Sequence, residues 1–293
     1  MKDRIIDAHN HPDWYGHTAD KFVAEMDEYN IDQTWLLTWE CPPIELDPSQ
    51  YNVLNEQPYS GTIGPISFRR CLKYKEKYPT RFVLGYAPDP RRPEALDNLE
   101  AAIDLYDVKI CGEIKLRILY DNPDALELFR FCGKRNMPVV LHFENPFPTN
   151  GKYPRRNYWY GGDMDTLERL LQKCPETNFL GHATGFWSGI SGDELGSACL
   201  YPEGPIAPNG RLVQLLRKYD NLFCDISANS GFKALSRDKG FSKEFLAEFQ
   251  DRIVYGRDSF GNKHQSLLEE LNLPSEVRTK ILFGNALKLI GEN

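Results

Sequence analysis

The chain has 293 residues, of which 41% are hydrophobic and 26% charged, a globular balance that excludes disordered, collagen-like and membrane-spanning classes. Its 35 Lys and Arg against 42 Asp and Glu leave a net charge of −7, with no basic run to serve nucleic acid or an anionic membrane surface. Seven scattered cysteines without a CxxC pair, and no apolar leader ahead of Ile5-Ile6, predict reduced thiols in a cytoplasmic protein.

Eight short β-rich apolar runs punctuate the chain. Arg4–Ala8 is the first and ends in His9-Asn10-His11. Asp20–Tyr29 follows with Phe22, Val23, Met26 and Tyr29 on one helical side, and Thr34–Thr38 is the second run. Cys41–Ile66, rich in Pro, Asn, Ser and Gly, reads as a long loop. Arg81–Tyr86 and Val108–Lys115 are the third and fourth runs. Asp121 as N-cap and Pro123 in the first turn open a helix over 124–135, with Ala125, Leu128, Phe129 and Cys132 aligned. Met137–His142 is the fifth run, and a Tyr- and Trp-rich loop follows over Glu144–Gly162. Asp163 would cap a helix over 165–173, where Leu167, Leu170 and Leu171 cluster. Asn178–His182 is the sixth run, followed by an irregular stretch, Ala183–Pro208. Asn221–Asp225 and Arg252–Gly256 complete the set, with Ser242 as an N-cap between them.

These runs lack clean polar alternation, as parallel strands covered on both faces do. Eight of them in 293 residues give about 37 residues per unit. That repeat predicts an α/β fold: one (β/α)8 TIM-barrel domain over residues 1–293, with long loops after strands 2, 5 and 6. An open doubly wound sheet would carry phosphate-binding glycines after strand one, where Ala8-His9-Asn10-His11 stands instead. The three long loops would meet at the C-terminal face, where barrel active sites lie.

Four of the six histidines fall at strand ends: His9 and His11 after the first, His142 after the fifth, His182 after the sixth. Asp258 follows the eighth. Residues two apart on a strand face one way, so His9 and His11 form a clamp for a divalent metal. A third imidazole and a carboxylate complete the open site of a hydrolytic metal centre.

The segments Asp7-Ala8-His9-Asn10-His11-Pro12 and Gly256-Arg257-Asp258-Ser259-Phe260, with single histidines after strands five and six, resemble the amidohydrolase superfamily. More narrowly they are similar to its amidohydrolase-related branch of TIM-barrel hydrolases and decarboxylases. Phe283–Ile290 is similar to the terminal helix common in that branch. The resemblance implies that His9, His11, His142 and Asp258 hold one divalent ion, and that Asp258 takes a proton from its water. It implies that His182 polarises a substrate carbonyl or, in a two-metal variant, binds the second ion. This donor set suits Zn first, with Fe, Mn or Co compatible, and a second metal is not expected.

Lys115 stands where dinuclear relatives carry a carbamylated bridging lysine; an ion pair with Glu113 or an anchor for an anionic substrate is favoured over that bridge. Arg117, Arg155, Arg156 and Arg257 are candidates for gripping a substrate carboxylate or phosphate. Trp14, Trp39 and Trp187 would line the pocket or simply pack, and Glu144 and Asp225 would support ligands or lie outside the chemistry. His17 and His264 receive no role.

The reading is therefore a metal-dependent hydrolase acting on a C–O or C–N bond of a small, anionic carbonyl substrate such as a lactone, ester or amide. A decarboxylase or hydratase of the same branch is the first alternative. A non-catalytic ligand-binding barrel is the second. The expected partner is a small molecule, without nucleic acid or membrane, and a homodimer is compatible.

Overall fold

The computed structural model describes residues 4–45, 66–145, 159–193, 195–197 and 199–292. All eight apolar runs overlap strands: β1 (Ile6–Asn10), β2 (Gln33–Leu36), β3 (Phe82–Leu84), β4 (Cys111–Ile114), β5 (Val139–His142), β6 (Phe179–His182), β7 (Leu222–Asp225) and β8 (Ile253–Val254). They pair in parallel, β1 to β3 in one ladder and β4 to β8 in another.

Backbone hydrogen bonds span both seams. Lys109 N to Leu84 O (3.0 Å) and Tyr86 N to Ile110 O (2.9 Å) join the β3 and β4 edges. Ala8 N to Tyr255 O (2.9 Å) and Asp258 N to His9 O (2.8 Å) join β1 to the chain leaving β8. One buried cluster collects a residue from each strand or its flank: Ile6, Trp35, Val83, Ile110, Val140, Leu180, Phe223 and Val254. The ring so formed is the expected (β/α)8 barrel.

Helices cover the outside: α1 (Ala19–Glu28), α2 (Phe68–Lys77), α3 (Ala95–Tyr106), α4 (Pro123–Lys134), α5 (Met164–Lys173), α6 (Ala183–Trp187), α7 (Arg211–Lys218), α8 (Ala228–Ser236), α9 (Lys239–Glu248), α10 (Lys263–Glu270), α11 (Ser275–Thr279) and α12 (Asn285–Leu289). Their apolar faces and the outward strand residues form the larger core. Ala286, Leu287 and Leu289 of α12 instead join the interior cluster. Asn285 Nδ2 donates to Gln250 O and Ile253 O, each at 2.7 Å, so α12 sits at the N-terminal end of β8 and plugs the barrel floor.

Two expected caps are displaced. Asn122, not Asp121, caps α4 by accepting from Asp124 N at 2.9 Å, while Asp121 pairs with Arg169 Nε at 2.6 Å. Asp238 caps α9 by accepting from Phe241 N at 3.1 Å, and Ser242, inside that helix, donates to Leu235 O at 2.7 Å. Asp163 does cap α5, accepting from Thr166 N at 2.8 Å, and Pro123 opens α4. The stretch after β6 is helical where it begins, as α6, rather than irregular throughout. No helix among the described residues is long and apolar enough to cross a membrane.

His264 fixes α10 against the start of α8. It is 2% exposed and its Nε2 donates to Ala228 O at 2.9 Å. Burial, reinforced by Lys263, pulls its pKa from 6.5 down to about 4. The folded state therefore holds it neutral, and the unfolded chain binds a proton first as pH falls. Stability from this group is complete above about pH 6.5 and is lost between there and pH 4, a difference of ~3 kcal/mol. Urea titrations across that window should show the wild type losing about this much more stability than His264→Gln. Parallel pH curves for the two proteins would refute the assignment.

Candidate metal centre

The inward face of each strand is set by its interior cluster residue. Val140, Leu180 and Phe223 point into the barrel, so His142, His182 and Asp225, two residues further on β5, β6 and β7, point to the same interior at the mouth. His9 and Glu113 are out of step with Ala8 and Ile110, and both strands carry a register shift, between Asp7 and Asn10 in β1 and between Cys111 and Ile114 in β4. Such irregularities re-aim side chains beside active sites. Gly256 leaves the space this needs: a Cβ there would lie 2.9 Å from Asp225 Oδ1 and 3.0 Å from His9 Cβ.

Four imidazoles converge on Glu113. Its Oε2 lies 3.9 Å from His9 Nε2 and 3.4 Å from His11 Nε2. Its Oε1 lies 2.6 Å from His142 Nδ1 and 3.9 Å from His182 Nε2. Asp258 closes the other side, with Oδ1 at 3.6 Å from His11 Nε2 and Oδ2 at 3.6 Å from His182 Nε2. Three overlapping donor groups result: His9-His182-Asp258, His9-His11-Glu113 and Glu113-His142-His182.

Each imidazole is held from behind by its other nitrogen. His9 Nδ1 meets Asp225 Oδ2 at 2.5 Å, and His11 Nδ1 donates to Leu37 O at 2.9 Å. His142 Nε2 meets Glu144 Oε2 at 3.0 Å, and His182 Nδ1 meets Ser227 Oγ at 3.0 Å. Glu144 is itself fixed by Thr184 Oγ1 at 2.7 Å. This is how proteins orient metal-binding histidines. Three indoles brace the same strand ends: Trp14 donates to Asp258 O, Trp39 to Lys115 O and Trp187 to Asp225 O, at 3.0–3.2 Å.

Burial opposes ionisation of every carboxylate here, and the imidazoles outweigh it. Glu113 is held well below the usual range by His142, His11 and His9, and Asp225 is lowered by His9 and His182. Asp258 is lowered to about 2 by His182, His9 and His11. Burial depresses His9, but Asp225, Asp258 and Glu113 push it up to about 10. A field that favours a proton on His9 Nε2 equally favours a metal cation there. His9 Nε2 and Asp258 Oδ1 are buried without a hydrogen-bond partner, as donors awaiting a cation would be. The donor set thus fits a divalent metal.

The expected metal residues gather around Glu113, which the sequence reading missed, but not as the expected quartet: His142 shares a donor group with Glu113 and His182 rather than with His9, His11 or Asp258. Lys115 makes no ion pair with Glu113: its Nζ lies over the Trp39 ring at 4.1 Å and the Tyr160 ring at 5.5 Å. Arg117 is half-buried, with its backbone N donating to Glu45 Oε2 at 2.9 Å. Arg257 is fully buried on Asp7 and Glu25, which leaves it no surface for a substrate and corrects that expectation. Arg155 and Arg156 lie outside the described residues. Tyr15 and Tyr201 feel the charge of Asp258; burial first, then neighbouring charges including Asp258, push each phenol up to about 12 and keep it protonated.

Asp225→Asn should keep the barrel intact but weaken zinc binding about 10- to 100-fold by releasing His9, as read by competition with a chromogenic chelator. Unchanged zinc affinity would show that Asp225 does not orient the ligand.

No curated protein matches the chain significantly. Among solved structures, an uncharacterised TIM-barrel protein of Bordetella bronchiseptica superposes with a TM-score of 0.63 at 15% identity, over 98% of each chain. A dihydroxybenzoic acid decarboxylase of a Polaromonas species, solved with bound manganese and 2-nitroresorcinol, gives 0.60 at 18% identity, over 99% of this chain and 97% of that one. A probable 2-pyrone-4,6-dicarboxylic acid hydrolase of Acinetobacter baumannii, with citric acid bound, gives 0.56 at 14% identity, over 98% of this chain and 99% of that one. Such distant likenesses speak for the fold. The amidohydrolase family matches residues 6–291, from β1 to the end of the floor helix and across every strand end of the centre. The chain belongs to the amidohydrolase family.

Proposed function

We propose that the chain is a metal-dependent hydrolase that adds water across a C–O or C–N bond of a small anionic carbonyl compound, such as a lactone, ester or amide. The observation that carries this reading is the convergence of four inward imidazole nitrogens on Glu113 and Asp258, each ring tied from behind.

His9, His11, His142, His182, Glu113 and Asp258 would hold the metal. These six side chains exceed the four donors of a single tetrahedral cation, so a second cation would also find ligands among them, one more than the sequence suggests. Zinc suits these donors first, and iron, manganese or cobalt also fit. A bound divalent cation supplies Lewis-acid polarisation of a carbonyl and lowers the pKa of water towards 7. Asp258, ionised and with a free oxygen, accepts the proton of the attacking water and returns it to the leaving group. Lys115, buried against Trp39 and Tyr160, offers its ammonium to the substrate carboxylate, while those rings keep water from its flank. Tyr15 and Tyr201, both protonated, donate to substrate oxygens at the mouth. A cytoplasmic setting is part of this reading.

Decarboxylation is the second reading, because the same placement of Lys115 beside the centre would hold a carboxylate in position to leave as CO2. Release of CO2 without net addition of water separates the two.

Asp258→Asn, assayed with the metal at saturating concentration, should retain the fold while kcat falls about 10²- to 10⁴-fold on any lactone, ester or amide turned over by the wild type. Chelation should abolish turnover and zinc or manganese should restore it. Activity that survives either Asp258→Asn or complete metal removal would overturn the proposal.

A further inference from the structure

Asp258 has to aim its carboxylate from an unusual backbone. Its φ is +44°, in the left-handed region that non-glycine residues avoid; its carboxylate Oδ1 has no hydrogen-bond partner, and its Oδ2 lies 3.6 Å from His182 Nε2, beyond a hydrogen bond. Most of the aim must therefore come from the peptide on either side.

That peptide is tied at each step. Arg257 N donates to Asp7 Oδ1 at 2.8 Å, and Arg257 Nε donates to Asp7 Oδ2 at 2.8 Å. Arg257 Nη1 reaches Glu25 Oε2 of α1 at 3.0 Å. The other oxygen of Glu25 accepts from Gly261 N. Asn10 Nδ2 bridges Asp7 Oδ2 (3.1 Å) and Ser259 O (2.8 Å), and Ser259 Oγ returns to Arg257 O at 2.9 Å. Arg257 and Asp7 are completely buried, so water cannot substitute for these bonds.

We infer that Arg257, through Asp7 and Glu25, is the positioning residue that holds Asp258 at the centre. This rests on the proposed function for its consequence, but its geometry does not involve a metal. The planar guanidinium fork matters as well as the charge, because it serves two carboxylates on different elements at once, β1 through Asp7 and α1 through Glu25. A lysine would keep the charge and lose the fork. Glu25 is the reversible handle: it lies at the rim of the network, 13% exposed in its side chain, so its neutral isostere does not strand a charge deep in the core.

The test compares Glu25→Gln and Arg257→Lys with the wild-type chain by two readouts. The first is amide hydrogen exchange of residues 257–261, in metal-free protein. The second is the visible absorption of the cobalt-loaded protein. Exchange at 257–261 should quicken at least about tenfold in each variant, beyond any change in global unfolding. The cobalt bands should shift as Asp258 loosens, and cobalt affinity should fall about 10- to 100-fold. Wild-type exchange rates at 257–261 in Glu25→Gln would overturn the inference, as would loosening no greater than the change in global stability. If Arg257→Lys does not fold, Glu25→Gln decides alone. If the wild type takes up no cobalt, the metal reading falls, while the exchange data still decide the role of Arg257.

Discussion

Four ionised carboxylates, Glu113, Glu144, Asp225 and Asp258, line the barrel mouth, with Glu113 and Asp225 almost closed to water. Two like charges about 4 Å apart repel by about 4 kcal/mol even at an effective dielectric of 20, so such a cluster exists only where positive charge or a cation answers it. The four imidazoles are that answer in the chain itself. Their outer nitrogens are fixed by Asp225, Leu37, Glu144 and Ser227, which leaves the inner nitrogens no freedom to turn away. The register shifts of β1 and β4, the three indole braces and the absent side chain of Gly256 all serve this one arrangement.

The centre also belongs to the closure of the barrel. The hydrogen bond from Asp258 N to His9 O is one of those that join the first strand to the last. A cation held between His9 and Asp258 would tie the same seam a second time. Chemistry at the mouth and stability at the floor are separated along the barrel: α12 fills the lower end with Ala286, Leu287 and Leu289, while the ligands sit at the upper end. Substitutions in the floor should therefore alter stability without touching the donor set.

Much of this was legible in the residues. The eight strands lie at the predicted runs because strands covered on both faces must be apolar throughout, whatever their neighbours. Four histidines and Asp258 at strand ends marked the mouth, since a closed barrel brings those ends together. Glu113 was not legible, because period-two counting from Ile110 sends it outward and only the β4 register shift brings it in. Lys115 beside it suggested an ion pair that the four imidazoles pre-empt. Arg257 looked like a substrate grip because arginine is rarely buried; its partners Asp7 and Glu25 lie more than 230 positions away in the chain. The misplaced caps at Asp121 and Ser242 are local: several polar residues near each start could cap, and the backbone bend chooses among them.

Crystals of the zinc-loaded protein, with diffraction recorded above and below the zinc absorption edge, would locate the metal without assuming its ligands. Anomalous density is expected among His9, His11, Glu113, His142, His182 and Asp258. Anomalous density confined to other residues, or none in protein that has been fully loaded, would contradict it.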